Sequence, residues 1–188
     1  SIESDAEHVF EDITELQDSS NPSDPFVLHK AALIACGIIP YHGGVSVQEI
    51  TESLGGGICL STKVTGTPHG SGLGTSSILA GACVKALMRF LGEAAADNLL
   101  YNRVLCMEQI MSTGGGWQDQ VGGVTNGIKF ITSRPGLNQQ LKVKHLSLDA
   151  QTLQELNDRF CLIYTGQRRL ARNLLRDVVG RYVGNEPE

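Results

Sequence analysis

The chain has 188 residues, 41% of them hydrophobic and 19% charged, and carries a formal net charge of −5. That length supports one good core and the edge of a second, so we expect one main α/β domain. The acidic balance gives no overall pull toward nucleic acid or anionic lipid, and no apolar run approaches the roughly 20 residues that span a bilayer, which leaves a small molecule as the default partner.

Residues 1–23 are acidic and weakly patterned, and read as a flexible or edge segment. Asp24 and Pro25 open a predicted helix, DPFVLHKAALIACG, which Gly37 ends. From Pro40 to Gly57 the glycines and the lack of a clear period predict a long loop. ICLSTKV then alternates Ile58, Leu60 and Val64 and predicts a strand. After the stretch TPHGSGLGTSS, the run SSILAGACVKALMRFLG is apolar over most of its circumference, which predicts a helix buried under a sheet and stopped by Gly92. A second helix is predicted from Asp97 to Met111, with Leu100, Val104, Met107 and Met111 as its buried stripe. Beyond the glycines at 114–116, GIKFITS, LKVKHLSL and FCLIYTG read as strands, with a short helix near Leu153 to Leu156. The final segment reads as a helix with Leu170, Leu174, Val178 and Tyr182 on one stripe. Cys36, Cys59, Cys83, Cys106 and Cys161 are odd in number, lie far apart and sit in apolar runs, so they read as reduced core residues of a cytoplasmic protein.

Between the predicted strand and helix, Thr67 to Ser77 holds three glycines and five hydroxyl side chains and no lysine. A Walker loop needs Lys after its last glycine, and a dinucleotide fingerprint from Gly70 needs glycine where Thr75 stands, so neither pattern fits. What remains is a loop whose amides can turn toward one point, at the positive end of a helix that begins with Thr75, Ser76 and Ser77. That suits a polyphosphate with its Mg²⁺; the plainer alternative is a tight turn whose hydroxyls only cap the helix. Glu108 flanks the apolar stripe of the next helix, where a carboxylate needs a partner. Asp119 stands between glutamines in a glycine-rich segment, where it can orient or deprotonate a substrate hydroxyl. A salt-bridged helix glutamate and a turn aspartate are the plainer readings of these two residues taken singly. Together, after a phosphate-type loop, they point to phosphoryl transfer, in which positioning and charge neutralisation supply most of the catalysis.

PHGSGLGTSSILAG, EQIMSTGGGWQDQVGG, GIKF and YTGQRRLARNLL, which span Pro68 to Leu175, resemble the GHMP small-molecule kinases. Within the sugar branch the likeness is strongest to the L-fucokinases. The resemblance implies a two-layer α/β (α+β) fold like ribosomal protein S5 domain 2, with helices on one mixed or antiparallel sheet. Residues 1–166 would form the ATP- and sugar-binding N-terminal domain, and residues 167–188 the start of a C-terminal domain. It implies that Pro68, Gly70, Ser71, Gly72, Leu73, Gly74, Thr75, Ser76 and Ser77 wrap the phosphates of ATP. Ser76 and Glu108 would ligate Mg²⁺, and Asp119 would face the anomeric hydroxyl of the sugar. Gly114, Gly115, Gly116 and Arg169 would lie near the substrate, and Thr165 and Gly166, with Arg169, near the phosphates or the sugar. His69 and Trp117 flank the motifs, as packing residues or as ligand contacts.

The reaction implied is transfer of the γ-phosphoryl group of ATP to the anomeric oxygen of L-fucose, giving fucose 1-phosphate for salvage toward GDP-fucose. The rival readings are another sugar kinase of the same branch, such as a heptose kinase, and a non-catalytic nucleotide- or sugar-binding fragment. Homo-oligomerisation stays open. The family's N-terminal segment, with its sugar-binding acidic residue, and its late glycine-rich third motif are not found. We therefore expect an incomplete kinase domain with weak or no turnover of its own.

Overall fold

A computed structural model of the chain describes residues 7–21, 23–67, 71–94, 96–111, 116–136, 140–164, 166 and 171–184, with the side chains of 171–176 left aside. It divides into two units, residues 1–124 with 168–188 and residues 125–167.

The first unit is helical. In chain order it contains α1 (Ile13–Gln17), α2 (Val27–Ala35), α3 (Val47–Leu54), α4 (Thr75–Phe90), α5 (Asp97–Ile110) and α6 (Gln118–Val124). Its core forms where α2, α4 and α5 meet, around Ala31, Ala32, Ala80, Val84, Met88, Leu100, Val104 and Met107. The alanines let the helix axes approach, and the larger residues of α4 and α5 fill the space between them. The buried positions of α4, Ser77, Ala80, Gly81, Val84 and Met88, recur at helical spacing. Helices cover this face of α4, where the sequence led us to expect a sheet. Leu100, Val104 and Met107 are buried on α5 as expected, and Met111 is half-buried.

Several expectations for the N-terminal half are corrected. Part of the acidic segment folds, because the Asp12 side chain accepts the Thr14 amide at 2.8 Å and caps α1. Leu16 is then buried with Ile34 and Ile39. Asp24 forms a turn ahead of α2 rather than its cap: it accepts the Phe26 amide at 2.7 Å and pairs with the buried Lys30 ammonium at 2.7 Å. The loop predicted from Pro40 to Gly57 contains α3. Its signal was present as Ser46 and Glu49, a capping box in which the Glu49 amide donates to Ser46 Oγ at 3.2 Å and the Ser46 amide donates to Glu49 Oε2 at 2.8 Å. Gly55, at φ 73°, closes that helix in the left-handed conformation only glycine adopts cheaply.

The segment Ile58 to Val64 keeps the predicted alternation, with Ile58, Leu60, Thr62 and Val64 half-buried and the residues between them exposed. Leu60 and Val64 pack on the core, and the Thr62 hydroxyl lies 3.0 Å from Nε2 of the buried His29. It is nonetheless not a strand, because a strand exists only through a neighbour's amides and carbonyls and no described residue pairs with it. FCLIYTG departs from expectation for the same reason. Phe160, Leu162, Ile163 and Tyr164 are exposed and unpaired in any described ladder.

The second unit holds β1 (Lys129–Ser133), β2 (Leu141–His145) and α7 (Ala150–Arg159). The two strands are antiparallel, in a register that places Lys129 opposite His145 and Ser133 opposite Leu141. Asp149 caps α7 by accepting the Thr152 amide at 2.8 Å, which makes this helix longer than the single turn expected. In α8 (Ala171–Gly184), which belongs to the first unit, the expected stripe is exposed where it is described, at Val178 and at Tyr182. Leu170 and the side chain of Leu174 lie outside the described residues.

The cysteine expectation needs correction too. Cys36 and Cys83 are buried, whereas Cys59, Cys106 and Cys161 are exposed, and all five are free thiols. Burial pushes the Cys36 and Cys83 thiols up to about 11, so neither supplies a thiolate near neutral pH. Iodoacetamide at pH 8, read by peptide mass spectrometry, is expected to modify Cys59, Cys106 and Cys161 in the native protein and to reach Cys36 and Cys83 only after unfolding. Rapid native modification of Cys83 would contradict this packing.

Candidate active site

The site is built on the start of α4. Gly74 precedes the helix at φ 66° and ψ 18°, a left-handed conformation that turns the chain sharply into α4, and it supplies no side-chain cap. Gly72 also has a positive φ of 77°. The first amides of a helix have no acceptor within it, and the helix dipole adds positive potential there. Ser71, in the same loop, has a buried hydroxyl with no hydrogen-bond partner among the described residues. Uncapped amides and an orphaned hydroxyl at one helix start fit the oxygens of a phosphate chain.

Ser76 is exposed and Ser77 is buried, because Ser77 alone falls on the stripe of α4 that continues through Ala80, Gly81, Val84 and Met88. Ser77 Oγ donates to Glu108 Oε1 at 2.5 Å. Glu108 sits on the buried face of α5, 7% exposed. Burial raises its pKa above the usual carboxylate range. The Ser77 hydroxyl opposes that rise, the nearby Asp119 charge adds to it, and Gln120 opposes it.

Asp119 comes to this place through a close helix contact. A Cβ on Gly81 of α4 would lie 2.0 Å from Val124 Cγ1, and one on Gly123 of α6 would lie 2.4 Å from Ile78 Cγ1. Each glycine thus makes room for a branched side chain of the other helix, and α6 lies directly on α4. The far end of α6 then meets the start of α4, where a Cβ on Gly74 would stand 3.7 Å from Asp119 Cγ. Asp119 is exposed and lies in the first turn of a helix, where the sequence suggested only a glycine-flanked turn.

Of the residues expected to act together, Gly74, Thr75, Ser76, Ser77, Glu108 and Asp119 converge here, with Ser71, Gly72 and Leu73 in the adjoining loop. Gly116 is exposed just before α6, and Gln118 Oε1 occupies the space its Cβ would take. Pro68, Gly70, Gly114, Gly115 and Arg169 lie outside the described residues, as do His69 and Thr165. The pairing of Ser77 with Glu108 and the burial of Gln120 were not foreseen. The period of α4 held the first signal, because it separates Ser77 from Ser76.

Among the described residues no group of three or more His, Cys, Asp or Glu side chains is placed to hold a metal by itself. The Ser76 hydroxyl and the Glu108 and Asp119 carboxylates are hard oxygen donors, of the kind Mg²⁺ accepts when phosphate and water complete its shell.

Residues 43–127 match the family model described as GHMP kinases N terminal domain. The chain is also similar to two curated proteins. It is 41% identical over 185 residues, 97% of this chain and 17% of the relative, to the bifunctional fucokinase/GDP-fucose pyrophosphorylase of Arabidopsis thaliana. It is 40% identical over 182 residues, 95% of this chain and 19% of the relative, to the L-fucokinase/L-fucose-1-P guanylyltransferase of Bacteroides fragilis. The chain therefore spans less than a fifth of the length of these relatives. No solved structure matches it. Among the described residues no helix is long and apolar enough to cross a membrane.

Proposed function

We propose that the chain is the ATP- and sugar-binding part of a kinase that transfers the γ-phosphoryl group of ATP to the anomeric hydroxyl of L-fucose. The observation that carries this reading is Asp119, a carboxylate held against Gly74 at the uncapped start of α4, beside the Ser77–Glu108 pair. The names of both relatives supply the sugar.

In this reading the loop from Pro68 to Ser77 takes the phosphates, and Ser76 with Glu108 holds Mg²⁺. Gly114, Gly115, Gly116 and Arg169 face the sugar. The bound ion neutralises phosphate charge. Asp119 orients the anomeric hydroxyl and receives its proton as that oxygen bonds to the γ-phosphorus and the bond to the β-phosphate oxygen breaks, releasing ADP. Residues 1–166 make up the nucleotide and sugar domain, and 167–188 begin a second domain. The free thiols suit a reducing compartment, and we assign the protein to the cytoplasm.

An ADP-release assay on the full-length protein, with L-fucose, D-arabinose and a heptose phosphate as acceptors, tests the assignment. L-fucose is expected to give the highest kcat/KM. Preference for the heptose would move the protein to another sugar, and tight ATP binding with no acceptor-dependent turnover would make it a binding protein. The 188-residue chain alone is expected to turn over weakly or not at all, since walls supplied by other segments are needed to exclude water from the phosphates.

A further inference from the structure

Ile58 to Val64 keep the alternation of a strand, yet none of their backbone amides and carbonyls bonds to another backbone group among the described residues. The same residues form one wall of a cavity of about 1030 Å³ within the first unit. Its other walls include Phe10, Leu33 of α2, and Val47, Ile50 and Leu54 of α3, all apolar and half-buried. His29 of α2 also lines this cavity. It is only 8% exposed, and its Nδ1 has no hydrogen-bond partner among the described residues, while its Nε2 lies 3.0 Å from the Thr62 hydroxyl. Whichever ring nitrogen of the neutral imidazole carries the proton, Nδ1 is left to find either an acceptor or a donor. The cavity thus joins three unmet needs: a row of unpaired backbone groups, a half-covered apolar surface and an orphaned buried polar atom. It lies apart from Gly74, Ser76, Glu108 and Asp119, none of which lines it.

We propose that this cavity seats a β-strand from the part of the full-length protein outside these 188 residues, a strand that pairs with the backbone of Ile58 to Val64 and lays alternate apolar side chains against α2 and α3. Unpaired backbone groups beside an apolar surface are the template on which a further strand adds. The added strand turns every second side chain to the face that Ile58, Leu60 and Val64 already cover. Its backbone offers both amides and carbonyls, so it can satisfy His29 Nδ1 in either tautomer. A helix answers only the apolar need, because its own backbone bonds are internal. A small ligand falls short of the about 20 Å that seven strand residues span. The two curated relatives align with 95% and 97% of this chain while the chain covers less than a fifth of either, so a protein of their length has ample further chain to supply the strand. A segment of the same polypeptide also outcompetes a second copy, because its effective concentration reaches about the millimolar range.

Hydrogen exchange of the full-length protein, read by mass spectrometry, tests the pairing without any substitution. About half of the amides from Ile58 to Val64 are expected to exchange at least about 10²-fold more slowly than an unprotected chain, since a strand gives alternate amides to each neighbour. Exchange at the unprotected rate throughout the segment overturns the proposal. Photo-cross-linking identifies the occupant. Ser61 is exposed and lies outside the catalytic site, and p-benzoylphenylalanine incorporated there in the full-length protein should reach a facing strand, whose side chains stand about 4.5–5.5 Å away. The expected product is a link within one polypeptide to a peptide from outside these 188 residues. A link of doubled mass on a denaturing gel would assign the cavity to a second copy, and links confined to residues 1–188 would assign it to this chain's own segments. Either result overturns the proposal. All of these outcomes are independent of which sugar the protein phosphorylates.

Discussion

Asp119→Asn in the full-length protein is expected to lower kcat for fucose phosphorylation by about 10²–10⁴-fold, the usual worth of a general acid or base, while ATP binding persists. Asparagine preserves the size of the side chain and its place in the first turn of α6, so the contact with Gly74 survives. It loses the negative charge and the ability to take up a proton. The phosphate-facing loop and the Ser77–Glu108 pair lie on α4 and α5 and are not altered. Calorimetric titration with ATP should therefore give nearly the wild-type affinity, and with one carboxylate fewer near the triphosphate the affinity should if anything rise. Wild-type turnover in the variant would remove Asp119 from the chemistry.

Gly81→Ala is expected to destabilise the fold by about 1–3 kcal/mol and to reduce activity further than that loss explains. In a helix interior the substitution by itself adds about 1 kcal/mol of stability, so the sign of the change is diagnostic. The new Cβ would stand 2.0 Å from Val124 Cγ1 and 3.3 Å from Val124 Cβ, and a valine in a helix has one strongly preferred rotamer and cannot swing aside. The strain must move α6 away from α4, and Asp119 moves with it. Urea unfolding and steady-state kinetics on Gly81→Ala, Val124→Ala and the double variant form a cycle. The double variant should recover stability and turnover relative to Gly81→Ala. A stabilised single variant with full activity would mean that the two helices are not locked in this way.

The site was legible in the sequence to an uneven degree. The glycine-rich loop, Glu108 on the edge of an apolar stripe and Asp119 among glycines could each be found from residue type and spacing, and the fold brings Gly74, Ser77, Glu108 and Asp119 together at the start of α4. Adjacent serines were harder to tell apart. Only the facing of α4 shows that Ser77 turns inward to Glu108 while Ser76 stays exposed. The glycines at 81 and 123 carried no message of their own, because their meaning is the branched side chain that each admits from another helix.

Local structure followed local chemistry wherever the relevant partners were near in sequence. The helix bearing Leu100, Val104 and Met107 was evident from its period, and α3 was missed although Ser46 and Glu49 announced it three residues apart. What the sequence by itself determined was the set of reactive groups and the helical faces, since hydrophobic period and capping act over three or four residues. Only the tertiary structure decided which of those groups meet, which serine serves Glu108, and whether Ile58 to Val64 becomes a strand. Those outcomes depend on atoms brought in from distant positions, and a backbone amide or a buried carboxylate is satisfied by whatever partner folding delivers.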